Sequence, residues 1–298
     1  MIITYKFSSI EELFEKIHHV DSKDMQLKRG IYSSKFSQVI SGNNMIHHVA
    51  TNISTSCEGA SHENFYMLIL VTSKDKQIFR GCSLDDTSII IIEPMTEYNK
   101  LSFGANTTLV VYVPKQKIEE RFGSLPTGIY NVKNKGDIDL LLYLSSKLFN
   151  SQQLNNHFIE YYSAAIIEKM QASLVNIHNL CNNCKRCNQC IEFYEIERFM
   201  KKEYKNNLEI AEIAEYFNIT DRTLRNIFSR QVGISPKQYQ KSLQMNYLKQ
   251  EIIKNPYSTI SDIIINQGMS LQSFVSKEFK SYFQTTPNKF KKYYFNNF

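Results

Sequence analysis

Between Leu208 and Phe283 the sequence lays down the same punctuation twice: a short amphipathic helix, a three-residue turn, then a second short helix. The first copy is LEIAEIAEYF-NIT-DRTLRNIFSRQVG. Ile210, Ile213, Ala214 and Phe217 put one apolar face on its first helix, with a small residue, Ala214, where two helices must cross closely. Asn218-Ile219-Thr220 makes the turn, and the Thr220 hydroxyl is placed to cap the next helix. On that helix Leu224, Ile227 and Phe228 recur at i, i+3, i+4, which predicts a buried stripe. The opposite face carries Asp221, Arg222, Arg225, Asn226 and Ser229. The second copy is TISDIIINQ-GMS-LQSFVSKEFKSYF, with Phe274, Val275 and Phe279 expected inward and Gln272, Ser276, Lys277 and Lys280 outward. Pro236 to Ile253 reads as one long helix between the copies, and breaks fall at Asn218, Gly233, Pro256, Gly268 and Pro287.

A helix pair whose second helix is polar and basic fits a major groove. Arg and Asn are the side chains that pair bidentately with guanine and adenine edges. The expected base-reading residues are therefore Arg222, Arg225 and Asn226 in the first copy and Gln272 and Lys277 in the second. Arg230, Lys237 and Lys280 are the expected phosphate contacts, with Thr220, Asp221, Ser270 and Ser276 completing the polar surface. On a rigid spacer, two such helices can enter successive grooves about one turn, ~34 Å, apart. Charge agrees: the chain carries +6 overall, but twelve Lys or Arg face four Asp or Glu from Asn218 to Phe298. The bland alternative is a helical bundle with a solvated, lysine-rich face.

The carboxyl-terminal hundred residues resemble the AraC/XylS family of bacterial transcription regulators. The resemblance is carried by Gly268, Ser273, Phe279, Lys280, Phe283, Thr286 and Pro287, and upstream by Ile213-Ala214, Leu224, Phe228, Gly233, Ser235-Pro236 and Tyr239. It implies sequence-specific binding to double-stranded promoter DNA, usually to activate transcription, with RNA polymerase as a partner and no enzymatic activity. The chain departs from the family pattern at Met269 (usually Phe), Gln284 (usually Gly), Gln244 and Leu248 (usually Arg and Ala) and Ile264 (usually small).

Upstream, about Met25 to Val113 reads as short β-branched or aromatic strands, among them MIHHVATNI, FYMLILV, KQIFRG, TSIIIIEP and TLVVYVP. Their close spacing predicts an antiparallel sandwich or small barrel. KQKIEERF is a short helix, Asp137 is the expected N-cap of a helix to Phe149, and a longer helix is expected from about Leu154 to His178, striped by Ile159, Ile166, Met170, Ser173 and Ile177. The stripe can pack on its own domain or on a second copy, which would make a homodimer. The expected fold class is α+β: an N-terminal antiparallel β cupin-like sensor domain with helices (1–178), a cysteine-rich hinge (179–192), and a C-terminal all-α domain of two helix-turn-helix units joined by a long helix (193–298). The cupin likeness is one of outline, and in such domains the barrel holds a small-molecule effector or a partner surface. His47 and His48 alternate faces on a strand, so only one can point inward, and ordinary strand histidines are the expectation.

Cys181, Cys184, Cys187 and Cys190 recur at strict three-residue spacing. Three readings stay open: thiolates holding an iron–sulfur cluster or, less well matched in spacing, zinc; reversible disulfides; or a turn with no further role. Cys57 and Cys82 are the remaining cysteines that could complete a cluster. A zinc-bound, methyl-accepting cysteine of the DNA-repair kind, coupled to the same type of DNA-binding domain, is the enzymatic alternative. No P-loop, dinucleotide fingerprint, G-x-S-x-G or H-E-x-x-H is present. The opening MIITYKFSSIEE lacks the pattern of a signal peptide, and no aliphatic run approaches about 20 residues, so the expected location is the cytoplasm, without membrane contact.

Overall fold

Ile89 to Ile92 and Met67 to Leu70 are apolar at every position, which a strand tolerates when both of its faces are covered. The computed structural model, which describes residues 2–16, 21–132, 134–150, 155–179, 187–206, 208–269 and 272–297, shows how that cover is built. The strands are β1 (Ile2–Phe7), β2 (Asp21–Gln26), β3 (Ser34–Ser41), β4 (Asn44–Thr51), β5 (Thr55–Ala60), β6 (Phe65–Ser73), β7 (Gln77–Phe79), β8 (Cys82–Ser83), β9 (Ser88–Ile92), β10 (Glu97–Ser102), β11 (Asn106–Pro114), β12 (Gly128–Val132) and β13 (Ile177–Asn179). An eight-stranded sheet runs β1-β3-β4-β11-β6-β9-β12-β13, and a five-stranded sheet runs β2-β5-β10-β7-β8. The long central pairs, β11 with β4 and β6, are antiparallel.

The alternation of a strand then sorts the large sheet into two cores. Leu68, Leu70, Ile89, Ile91, Leu109 and Val111 pack with Leu141, Leu148, Ile166 and Met170 of two helices, α3 (Lys135–Asn150) and α4 (Asn156–Ser173). Met67, Ile69, Ile90, Ile92, Val110 and Tyr112 form the other core with Phe79 and Tyr98 of the smaller sheet. The layers are sheet, sheet and helices, with α1 (Ile10–Lys16) and α2 (Lys115–Phe122) as short accessory helices.

This corrects three local expectations. His47 and His48 are both buried: His47 lies edge-on to Phe36 and Tyr112, and His48 stacks on Phe149 of α3. They do face opposite sides, but both sides are interior. Burial and the nearby Lys35 push His48 down to about 4. The helix expected to reach His178 ends at Ser173; Ile159, Ile166, Met170 and Ser173 are buried as the stripe predicts, while Ile177 opens β13 instead, pairing antiparallel with β12. Asp137 lies inside the first turn of α3, where Asn134 makes the entry bond through its carboxamide to Gly136 N at 3.0 Å.

The carboxyl-terminal helices are α5 (Cys187–Lys202), α6 (Ile210–Tyr216), α7 (Asp221–Gln231), α8 (Pro236–Lys254), α9 (Ile260–Asn266), α10 (Gln272–Phe283) and α11 (Pro287–Asn297). The chain divides into two compact units, Met1–Asp24 with Ser33–Asn52 and Ser56–Cys187, and Met25–Tyr32 with Ile53–Thr55 and Asn188–Phe298. The second unit thus includes a strap from far upstream. Gln26 N donates to Asn246 Oδ1 at 3.0 Å and Asn246 Nδ2 donates back to Gln26 O at 2.8 Å, so one side chain of α8 pairs with the strap as a neighbouring strand would. Gln26 Nε2 and Gly30 N both donate to Tyr282 O, at 3.1 and 3.0 Å, satisfying a carbonyl in the last turn of α10 that has no helical partner.

Left-handed backbone marks the breaks at Asn218, Gly233, Gly268 and Gln284, with φ of 53°, 65°, 68° and 57°. Gln284 is the position where the resemblance led us to expect glycine. Left-handed geometry costs an L-residue roughly 1–2 kcal/mol, part of which glycine gives back through its looser unfolded chain. Gln284→Gly is therefore expected to stabilise the second unit by about 1 kcal/mol, read as a higher urea midpoint; an unchanged or lower midpoint would count against strain there. Among the described residues no helix is long and apolar enough to cross a membrane.

Candidate nucleic-acid interface

Each helix pair is fixed at its ends before it is fixed by packing. Glu209 and Glu212 form a reciprocal capping box at α6, and Thr220 Oγ1 accepts from Thr223 N at 3.1 Å at α7, the cap expected from sequence. Ser235 with Gln238, and Thr259 with Asp262, make the same box at α8 and α9. Each cap of this kind contributes about 1 kcal/mol. The stripe Leu224, Ile227 and Phe228 is buried, with Phe228 edge-on to Phe193 of α5 and to Tyr239 of α8. That orientation leaves Asp221, Arg222, Arg225, Asn226 and Ser229 exposed on the far face of α7, and Thr220 and Arg230 exposed at its ends.

In the second pair Val275, Phe279 and Tyr282 are buried along α10, and Lys277 and Lys280 are exposed. Ser276 is half-buried, and Gln272 opens the helix. Ser270 lies outside the described residues. Phe274 does not pack inward: it is 54% exposed, with Lys241 Nζ 5.6 Å from its ring centre. The buried stripe runs Val275, Phe279, Tyr282, and Phe274 is one residue, about 100°, round the helix from it. The departures Leu248 and Ile264 sit in the core of this pair with Phe279 and Phe290, and Met269 packs against it.

Two grooves meet at the start of α8. One is lined by Asp221, Arg225, Ser235 and Lys237. The other is a cleft of about 880 Å³ whose cations are Lys28 and Arg29 from the strap and Lys237 and Lys241 from α8. Lys237, an expected phosphate contact, lines this cleft with a neighbour that spacing could have found, since Lys241 is one helical turn on. Nothing local in the sequence signals Lys28 and Arg29.

In the first unit, polar groups interrupt the core between the sheets. The Cys57 thiol donates to the Asp24 carboxylate, and the Tyr98 hydroxyl points at Cys57. Lys100 Nζ donates to Thr108 Oγ1 at 2.9 Å. Burial pushes the Asp24 carboxyl up to about 6, against the opposing Cys57 bond and Lys100, and the same burial raises the Cys57 thiol and lowers Lys100. No group of three or more His, Cys, Asp or Glu among the described residues is placed to hold a metal. Cys181 and Cys184 lie outside those residues, and Cys187 and Cys190 are in the first turn of α5.

Residues 213–293 match a family model described as a helix-turn-helix domain. This stretch is a helix-turn-helix domain. The chain is similar to the Msm operon regulatory protein of Streptococcus mutans serotype c, at 30% identity over 103 residues, 35% of this chain and 37% of that protein. It is also similar to the HTH-type transcriptional regulator ExsA of Pseudomonas aeruginosa, at 24% identity over 94 residues, 32% of this chain and 34% of that protein. The match thus spans about a third of the length of these relatives. A crystal structure of the AraC-like transcriptional activator CuxR aligns with 87% of this chain and 98% of its own at 13% identity and a TM-score of 0.44.

Proposed function

We propose that this chain is a sequence-specific DNA-binding transcription regulator that activates transcription at promoters. The observation that carries the proposal is the division of α7: one face buried through Leu224, Ile227 and Phe228, the other presenting Arg222, Arg225 and Asn226 to solvent. Those are donor and acceptor groups suited to base edges, on a helix held at its entry and along its back. The helix-turn-helix domain and the regulators it resembles support the same reading. The first unit is the sensor in this proposal, with the polar groups around Asp24, Cys57 and Lys100 as the place where a small molecule would be read. RNA polymerase and a second copy of the chain are the protein partners.

The test is selection of a duplex from a randomised pool by the full chain, followed by affinity measurements. Arg225→Ala is expected to cost about 1–3 kcal/mol on the selected duplex and to relax base preference at one position. Lys280→Ala is expected to weaken binding to selected and unrelated duplexes alike and to reduce the salt slope by about one. Failure to enrich any duplex would overturn the proposal, and an exchange of the two behaviours would overturn the residue roles.

A further inference from the structure

The strap that belongs to the second unit carries two adjacent cations, Lys28 and Arg29, to the cleft at the start of α8. Arg29 is committed: it pairs with Glu278 of α10 at 2.5 Å, and Lys241 lies 4.0 Å from the same carboxylate. Lys28 and Lys237 are exposed and have no carboxylate partner among the described residues. The backbone that holds Lys28 in place is fixed on both sides, by the Gln26–Asn246 pair before it and by the Gly30 bond to Tyr282 O after it. Gly30 itself has φ of 145°, and a Cβ there would meet Ile53 Cδ1 at 3.0 Å, so the close approach of the strap depends on glycine.

The cleft shares Ser235 and Lys237 with the groove that contains Arg225, and its lining also includes Tyr282 of α10. It thus adjoins the groove beside α7 on one side and touches α10 through Tyr282. A duplex that offers successive major grooves to those helices carries a phosphate backbone past whatever lies between them. Four cations against one carboxylate suit a polyanion there.

We infer that the strap is part of the DNA-binding surface, and that Lys28, with Lys237, contacts the phosphodiester backbone between the two recognition helices. The inference rests on the DNA-binding function proposed above. It adds a phosphate contact from a segment about 180 residues upstream of the helix-turn-helix units. Such a contact adds affinity and salt dependence without base preference.

The experiment uses the full chain, a selected duplex and an unrelated duplex, with binding followed by fluorescence anisotropy across a salt series. Lys28→Gln is expected to weaken binding to both duplexes by up to about tenfold near 0.1 M salt and to lower the salt slope by about one, with Lys28→Arg restoring both. Lys117→Gln, on α2 of the first unit, serves as a charge control and is expected to change neither. An unchanged affinity and slope for Lys28→Gln would overturn the inference. So would a loss confined to the selected duplex, or a loss with unchanged slope and a lowered unfolding midpoint, which would mark Lys28 as a packing residue. Binding of the unaltered chain to the selected duplex in the same series keeps these outcomes separate from a failure of DNA binding as such.

Discussion

Glu197→Ala is expected to destabilise the second unit by about 3–5 kcal/mol, the usual cost of removing one partner of a buried ion pair. Glu197 is 1% exposed on α5, where its Oε1 accepts from Lys201 Nζ at 2.8 Å and from the Tyr239 hydroxyl of α8. The Lys201 side chain is 8% exposed, so its ammonium cannot simply turn to water when the carboxylate goes. Tyr239 also sits against Phe228, which carries the buried side of α7. Loss of Glu197 therefore loosens the support of α7. Urea unfolding followed by far-ultraviolet circular dichroism measures the effect, and a change under 1 kcal/mol would show that the pair is not holding α5 to α8. Replacing all three groups together, as Glu197→Leu, Lys201→Met and Tyr239→Phe, is expected to recover most of the loss, because it removes both charges of the buried pair at once.

Phe279→Ala is expected to cost a similar 3–5 kcal/mol by opening a cavity in the second helix pair. Phe279 is fully buried, edge-on to Phe283 at 4.7 Å between ring centres and tilted against Phe290 at 6.0 Å. Its surroundings are Leu248, Ile252, Ile263, Ile264 and Val275, a cluster separate from the residues that support α7. The damage should therefore fall on α10 and spare α7. Amide exchange is the measurement: protection is expected to drop across α9, α10 and α11 and to persist across α6 and α7. Equal loss in both pairs would mean that the two are one cooperative block.

What was legible in the sequence was what is local. Thr220 caps α7, Asn218 and Gly268 take the left-handed turns, and the buried stripes of α7 and α4 follow from spacing alone. Where a second layer intervened, local pattern gave less. A strand's alternation shows that His47 and His48 face opposite ways, but not that helices α3 and α4 cover the second face. Phe274 looked like core because it is aromatic, and its exposure follows from the helix angle set by Val275 and Phe279. The strap was not legible at all. The Gln26–Asn246 pair joins residues 220 positions apart, and neither residue carries a pattern that points to the other.

That pair has an evolutionary consequence. The second unit is not contiguous along the gene: Met25–Tyr32 and Ile53–Thr55 are encoded far from Asn188–Phe298. A recombination that exchanged only the stretch from residue 188 onward would inherit an Asn246 cut to fit somebody else's strap, and a carbonyl at Tyr282 waiting for donors from a foreign chain. The two ends of this sequence are therefore expected to have been inherited and to have diverged together, whatever freedom the segments between them enjoyed.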